Sequence, residues 1–275
     1  MARANRHFLS GYVWHITHRC HKKEFLLKLV KDRQRLLYWL FEAKKRYGLC
    51  ILNYIITSNH IHLLVSDKGH AHDCIPESIQ LIAGRIGQEY NQRKKRKGAF
   101  WEDRYHATAV QNNKHLIQCI NYIDMNMVRA GVVVHPDQWK QSGYNEIQTP
   151  RKRYGLINHN YLMKLLEFND YDILRETHNQ WVDDALKQSH KKDLKWTQSI
   201  AVGDKAFIEK TKKLLGDKAN GRQTVYSEAG YELKETQKPY GNTVNKKNEF
   251  ENMLYWDLAI YQSGDSIPMY YDKSD

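Results

Sequence analysis

Two histidines separated by one residue, His60 and His62, are the side chains whose type and spacing could most readily do chemistry. They lie in ILNYIITSNHIHLLV, residues 51–65, a β-branched and apolar segment that predicts strand structure. Because side chains alternate between faces along a strand, the two imidazoles share one face and their apolar neighbours point into a core. Two such imidazoles can hold a divalent cation, which polarises a phosphoryl oxygen when a phosphodiester is nearby. The alternative for this pair alone is two polar residues on the solvated face of an edge strand.

A tyrosine and an asparagine four positions apart, Tyr122 and Asn126, form the second candidate pair. The helix predicted around them has an apolar stripe at about 100° per residue, made of Leu116, Ile120, Ile123 and Met127. Tyr122 lies off this stripe and Asn126 falls about 40° from Tyr122, so both occupy a face that is not committed to the core. A phenol with a pKa near 10 is a poor nucleophile at neutral pH, and a cation on the phosphate would help it. The alternative is an ordinary surface or half-buried tyrosine.

The elements that must position these residues follow a clear order. Strands are predicted at 12–18, 50–57, 60–66 and 100–110, and helices at about 32–47, from Pro76 to before Gly98, and from Asn112 or Asn113 to Gly131. The order predicts an α+β fold, a ferredoxin-like split βαβ antiparallel sheet with two helices on one face and an extra helix. We expect the other face of the sheet to be open to a ligand.

Beyond residue 136 the pattern weakens. We predict a catalytic domain at 1–136 and a basic, mainly helical C-terminal appendage of unknown role at 137–275, irregular at 139–153 and helical at 158–191. Its last forty residues are polar and carry no clear element.

Composition favours an anionic polymer as the partner. The chain has 43 Lys and Arg against 31 Asp and Glu, a formal net charge of +12, and such an excess favours phosphate binding through counterion release. No apolar run approaches the roughly 18 to 20 residues of a membrane span, and the first residues do not form a signal peptide. We therefore expect a cytoplasmic, nucleoid-associated protein. The four widely spaced cysteines predict free thiols rather than a disulfide framework or zinc knuckle.

Three segments resemble one family. SNHIHLLV at 58–65 followed by NYIDMNMVRAGVV at 121–133 resembles the HUH-type single-tyrosine transposases, in particular the REP-associated tyrosine transposases. FWEDRYHATAV at 100–110 is similar to the segment between these motifs. Asp124 and Met127 depart from the family helix, which usually has His and Pro at these positions.

The resemblance implies roles for the candidate residues. His60 and His62 would be the metal-binding pair, Asn126 the third ligand and Tyr122 the nucleophile, with Mg²⁺ or Mn²⁺ as cofactor. The implied reaction is cleavage of single-stranded DNA at hairpin-forming repeats, with Tyr122 joined to the 5′ phosphate and a free 3′-OH released. The protein would act as a monomer or a homodimer, and neither is favoured by the sequence.

Several basic and aromatic residues are candidates for DNA binding. The run Arg93, Lys94, Lys95, Arg96 and Lys97 is either a solvated helix end or a set of contacts to the DNA backbone. Trp101 and Arg104 follow it, and Trp101 is either core or a stacking platform for unpaired bases. Arg129 either contacts phosphate or is an ordinary arginine near a helix end. Arg3 and Arg6 could enter a groove or bind a terminal tetranucleotide.

Other histidines fit the metal site less well. His70 and His72 repeat the spacing of the pair, but their segment lacks strand character and predicts loop histidines. His15 and His18 on the first strand do not share a face, and we expect a structural or DNA-contacting role for them.

Three other functions compete with a transposase. A non-catalytic DNA-binding protein could keep the fold without cutting DNA. A replication initiator or relaxase often carries a helicase domain or a second tyrosine, and no G-x-x-x-x-G-K-[ST] loop occurs here. A metal phosphohydrolase needs more carboxylate ligands than the motif region offers.

Overall fold

The computed structural model describes residues 8–69, 73–187, 193–227 and 230–235. The strands are β1 (Val13–Arg19), β2 (Cys50–Ile56), β3 (His60–Ser66), β4 (His106–Val110), β5 (Ala201–Gly203), β6 (Arg222–Ser227) and β7 (Gly230–Glu235). The helices are α1 (Val30–Tyr47), α2 (Cys74–Arg93), α3 (Lys114–Asp124), α4 (Asn126–Arg129), α5 (Gly143–Gln148), α6 (His159–Leu166), α7 (Tyr171–Leu186), α8 (Lys195–Gln198) and α9 (Lys205–Leu215). Within these residues the strands form one sheet, in the order β2-β3-β1-β4-β5-β7-β6.

The first four strands confirm the predicted ferredoxin-like arrangement. They follow one another as β1-α1-β2-β3-α2-β4 and lie in the order β2-β3-β1-β4, with antiparallel pairing throughout. The register places Thr17 of β1 directly opposite His62 of β3. The central strand β1 is therefore the neighbour that can support the predicted histidine pair.

The helices α1 and α2 cover the sheet face that carries Ile16 and His18. Their apolar stripes supply buried core residues: Leu36, Leu40, Ile79, Ile82 and Ile86. Helix α1 ends at Gly48, whose φ of 72° is the left-handed conformation that glycine adopts readily. Helix α2 begins at Cys74, two residues before the predicted start, and β4 begins only at His106, because the preceding residues turn and Trp101 forms an isolated bridge to Cys20.

The second face of the sheet is covered, and the expectation of an open face is wrong. His15 and Leu64 on this face are 0% exposed, and Trp196 of α8, which packs here, is 1% exposed. The physical reason is hydrogen bonding: the carbonyl of Trp196 binds the side chains of His15 and Thr108, so polar groups on the strands find partners in the C-terminal part. Helix α3 lies on the same face.

The C-terminal part contains α6 and α7 within the helical stretch predicted at 158–191, and it also adds strands that the sequence pattern did not predict. Strand β5 pairs in parallel with β4, and β7 and β6 continue the sheet. This pairing removes β4 as an exposed edge. A strand of three residues such as β5 is too short to show a period of two, so it was missed. The predicted irregular segment 139–153 contains α5.

All four cysteines are free and buried, as the spacing predicts. Within the described ranges, no helix has the length and apolar character needed to cross a membrane.

Candidate metal and nucleophile site

His60 and His62 project from the same face of β3, next to each other. Their ring centroids lie 5.0 Å apart with the planes nearly perpendicular, at 84°. His62 is only 2% exposed, whereas His60, at the start of the strand, is half-buried. The pair therefore has one imidazole inside the protein and one at its rim.

The turn before β3 determines which nitrogen of the neutral His60 ring carries the hydrogen. Thr57 Oγ1 donates its hydrogen to the carbonyl of His60 at 2.9 Å, so its oxygen can only accept from Nδ1 of His60, 3.0 Å away. The Oδ1 atom of Asn59 also accepts from this Nδ1, at 2.6 Å. A neutral His60 thus carries its proton on Nδ1 and its lone pair on Nε2.

Two side chains of strand β1 contact the Nδ1 atom of His62. Its Nδ1 lies 2.9 Å from Nε2 of His15 and 3.2 Å from Oγ1 of Thr17. The His15 and His62 rings are stacked, with centroids 5.0 Å apart. Nδ1 of His15 donates in turn to the carbonyl of Trp196, at 2.9 Å. Burial lowers the pKa of His15 to about 3, so this imidazole is neutral.

Asn126 completes a set of possible metal ligands. Its Nδ2 lies 3.1 Å from Nε2 of His62, because α3 ends at Asp124 and α4 restarts at Asn126. Imidazole nitrogens and an amide oxygen can both bind a divalent cation, so His60, His62 and Asn126 suit such an ion if the amide turns to present its oxygen. Among the described residues no cluster of three or more His, Cys, Asp or Glu could hold a metal. The two imidazoles and the amide remain the candidate ligands.

Tyr122 packs against this set. Its ring centroid lies 5.7 Å from that of His62 and 5.9 Å from that of His15, edge-on to both. The guanidinium of Arg129 lies 4.3 Å over the ring, and its Nη2 donates to the Tyr122 carbonyl at 2.7 Å. The side chain is only 6% exposed, and burial raises the pKa of Tyr122 to about 12 against the opposing charge of Arg129. The phenol is therefore protonated at neutral pH.

A buried carboxylate fixes the orientation of α3. Asp124 is 1% exposed; its Oδ1 accepts from Asn53 of β2 at 2.9 Å and its Oδ2 pairs with Nε2 of His178 of α7 at 2.9 Å. Asp124 lies between Tyr122 and Asn126 in sequence. Because both its oxygens are bound, the helix cannot roll without losing these partners, which keeps Tyr122 and Asn126 turned toward His62.

The basic run at the end of α2 contains two arginines that bind other residues of the protein and three lysines that are exposed. Arg93 forms an ion pair with Asp32, and Arg96 donates to the carbonyl of Ala99 at 2.8 Å. Lys94, Lys95 and Lys97 are exposed. The three lysines therefore remain candidates for phosphate contacts.

Trp101, Arg104 and Arg129 lie in different surroundings. Trp101 stacks on His18 with centroids 4.1 Å apart and donates to the carbonyl of Ala83 at 3.0 Å, so much of its surface is committed to the core. Arg104 is exposed. Arg129 is engaged with Tyr122, a contact the sequence did not predict. Arg3, Arg6, His70 and His72 lie outside the described residues.

Residues 9–126 match the family model described as IS200-like transposases. This part of the chain is therefore similar to that family. The match confirms the transposase resemblance of the motifs and includes His60, His62, Tyr122 and Asn126. It ends before the C-terminal part.

Two solved structures are similar to this chain. One is described as a REP-associated tyrosine transposase bound to a REP hairpin; it is 18% identical, with a TM-score of 0.47, over 55% of this chain and 87% of its own. The other, a proposed transposase from Deinococcus radiodurans R1, is 15% identical, with a TM-score of 0.29, over 38% of this chain and 83% of its own. No curated protein matches the chain.

The candidate site is also supported from behind. For His15 the sequence predicts a structural or DNA-contacting role, and the structure places it against His62, since it lies two positions from Thr17 on the same face of β1. The Trp196 carbonyl and His178 come from the C-terminal part, and no sequence pattern points to either.

Proposed function

We propose that this chain cuts and rejoins single-stranded DNA at hairpin-forming repeats through a covalent bond between Tyr122 and a 5′ phosphate. The observation that carries the proposal is the meeting of a tyrosine ring with a ligand set from distant parts of the chain. Tyr122 lies 5.7 Å from His62 between ring centroids, and His62 lies 3.1 Å from Asn126. The preference for hairpin-forming repeats rests on the resemblance of residues 58–65 and 121–133 to REP-associated transposases.

His60, His62 and Asn126 would hold Mg²⁺ or Mn²⁺, which polarises the scissile phosphate when bound. The Tyr122 oxygen forms a bond to phosphorus as the bond from phosphorus to the 3′ oxygen breaks. The phenol loses its proton and the departing oxygen gains one, so a 3′-OH is released. When a 3′-OH of another end attacks the phosphotyrosine, the phenol is regenerated, and neither water nor ATP is consumed.

Arg129 has a role in this step. Its guanidinium lies over the Tyr122 ring and stabilises the negative charge that forms on the phenol, against the raised pKa that burial imposes. Lys94, Lys95 and Lys97 would contact the DNA backbone.

Because Tyr122 is buried, the proposed reaction requires a movement that exposes its hydroxyl to DNA. With 6% of the side chain exposed and the Trp196 ring 6.2 Å away, a DNA strand reaches the phenol only after the segment around α8 shifts. The same burial favours a second candidate function, a non-catalytic DNA-binding protein on this fold. In that case the site would stay closed when DNA binds.

The two functions separate in one experiment. The full chain is incubated with labelled single-stranded repeat hairpins and Mg²⁺ or Mn²⁺, and denaturing gels detect a protein-linked 5′ end. The proposal predicts this product for the wild type and its loss in Tyr122→Phe and His62→Ala. The matched control is Tyr171→Phe, since Tyr171 at the start of α7 donates its hydroxyl to the carbonyl of Ile147 and packs on His159, residues that the proposed site does not use. DNA binding without a linked product in the wild type would favour the non-catalytic function.

A further inference from the structure

We propose that His15 is a positioning residue for the metal site. It is itself held by the carbonyl of Trp196, and it holds His62 in the tautomer whose lone pair lies on Nε2. The role as a metal site rests on the proposed function. The tautomer itself rests only on hydrogen-bond geometry. The inference gives the C-terminal part of the chain, beyond the residues matched by the transposase family, a share in building the site.

The first step concerns the proton on Nδ1 of His15. A backbone carbonyl can only accept, so the 2.9 Å contact with Trp196 requires a hydrogen on this nitrogen. A second hydrogen on Nε2 would make a cation of a side chain that is 0% exposed. The rings of His62, Tyr122 and Trp196 lie around it, and the groups that act on it electrostatically are His106 and Arg129; none of these is an anion. Burying an unpaired cation is costly, so Nε2 of His15 is an acceptor.

The acceptor on His15 determines the tautomer of His62. With Nε2 of His15 accepting at 2.9 Å, Nδ1 of His62 must donate. The Oγ1 of Thr17, 3.2 Å from the same nitrogen, can accept as a second partner. The lone pair of His62 therefore lies on Nε2, the atom that faces Asn126. His60, whose Nδ1 also donates, presents the same atom.

The energetic consequence is preorganisation. An imidazole without a fixed partner divides its population between two tautomers and several ring orientations, and only one of these presents Nε2 to a cation. Groups that orient a ligand from behind typically change metal affinity 10- to 100-fold when they are removed. We expect an effect of this size at His15.

The test uses the full chain and Mn²⁺ alone as the probe. His15→Asn keeps a donor for the Trp196 carbonyl but removes the acceptor opposite His62, whereas the longer amide of His15→Gln can place an oxygen there. The matched control is His18→Asn, because His18 lies on the opposite face of β1 and binds the carbonyl of Asp103 at 2.8 Å. The readouts are the ring ¹⁵N shifts of His62, assigned by their loss in His62→Gln, and the Kd for Mn²⁺ from calorimetry.

In the wild type we expect a protonated Nδ1 on His62. In His15→Asn we expect loss of this fixed tautomer and a Kd for Mn²⁺ raised about 10- to 100-fold. His15→Gln should stay much nearer to the wild type, and His18→Asn should change neither readout.

Two results would overturn the inference: a proton on Nε2 of His62 in the metal-free wild type, or unchanged Mn²⁺ affinity in a folded His15→Asn variant. If that variant does not fold, the wild-type spectrum decides the matter alone. Failure of the wild type to cut DNA, with the tautomer and Mn²⁺ results as expected, would contradict the proposed function and support this inference.

Discussion

The amide nitrogen of Asn126 lies 3.1 Å from Nε2 of His62, although 64 positions separate the two residues in sequence. The contact joins the helix that carries Tyr122 to the strand that carries the histidine pair. It supports the proposal that Asn126 is the third ligand, with its amide turned to present the oxygen.

Removing the amide oxygen should weaken metal binding. We expect Asn126→Ala to raise the Kd for Mn²⁺ at least about tenfold, while Asn126→Asp keeps an oxygen ligand, adds a negative charge and binds at least as tightly as the wild type. Titration of Mn²⁺ followed by electron paramagnetic resonance measures both. Equal affinity of the alanine variant and the wild type would remove Asn126 from the ligand set.

The buried pair of Asp124 and His178 should matter for stability. His178→Phe removes one partner of a fully buried carboxylate, and we expect the free energy of unfolding to fall by about 3 to 5 kcal/mol. Asp172→Asn on the same helix is the control, since its pair with Arg175 is exposed and worth less than about 1 kcal/mol. Urea denaturation compares them; similar losses in both variants would show that the pair does not anchor α3.

The exposed lysines at the end of α2 should contact DNA directly, so that replacing them weakens DNA binding more than removing the same charge elsewhere. Replacing Lys94, Lys95 and Lys97 with Gln should lower the salt dependence of single-strand binding, by about 0.7 in the logarithmic slope for each phosphate that the variant no longer neutralises. The control replaces Lys205, Lys210 and Lys213, three exposed lysines of α9, and changes the net charge equally. Fluorescence anisotropy at several salt concentrations gives the slopes. Equal slopes for the two variants would argue against a local DNA contact.

Asp204, the N-cap residue of α9, should make the stability of the protein depend on pH. Asp204 has a lowered pKa because Gln111 donates to its carboxylate and the Phe207 amide does so as well. Its contribution, about 1 kcal/mol for a helix cap, is therefore present above about pH 4 and lost as the pH falls through the lower pKa of the folded state. Asp204→Ala should thus destabilise the protein at neutral pH and progressively less as the pH falls below about 4. Urea denaturation over this pH range checks this, and a difference that does not change with pH would contradict it.

The sequence predicts the parts of the site that follow local periodicity. His60 and His62 share a face because strands alternate. Tyr122 and Asn126 lie on two successive helices, α3 and α4, and not on the one predicted helix, although both side chains contact His62. The prediction that their face is not committed to the core is wrong for Tyr122, which is buried. The structure also explains a departure from the family helix: Asp124, where the family usually has His, pairs with an imidazole supplied by His178.

The rest depends on contacts that no local pattern encodes. The Trp196 carbonyl is a backbone atom, so its bond to His15 leaves no trace in residue type. The covered sheet face and the burial of Tyr122 follow from the packing of α8, a helix of four residues that is too short to show a period.

Mass spectrometry of the wild-type chain, after incubation with a single-stranded repeat hairpin and Mg²⁺, shows whether Tyr122 becomes joined to DNA. After proteolysis and nuclease digestion, we expect a nucleotide adduct on the peptide that contains Tyr122, absent when Mg²⁺ is chelated. An adduct on any other tyrosine, or cleaved DNA with no adduct on the protein, would contradict the proposed reaction.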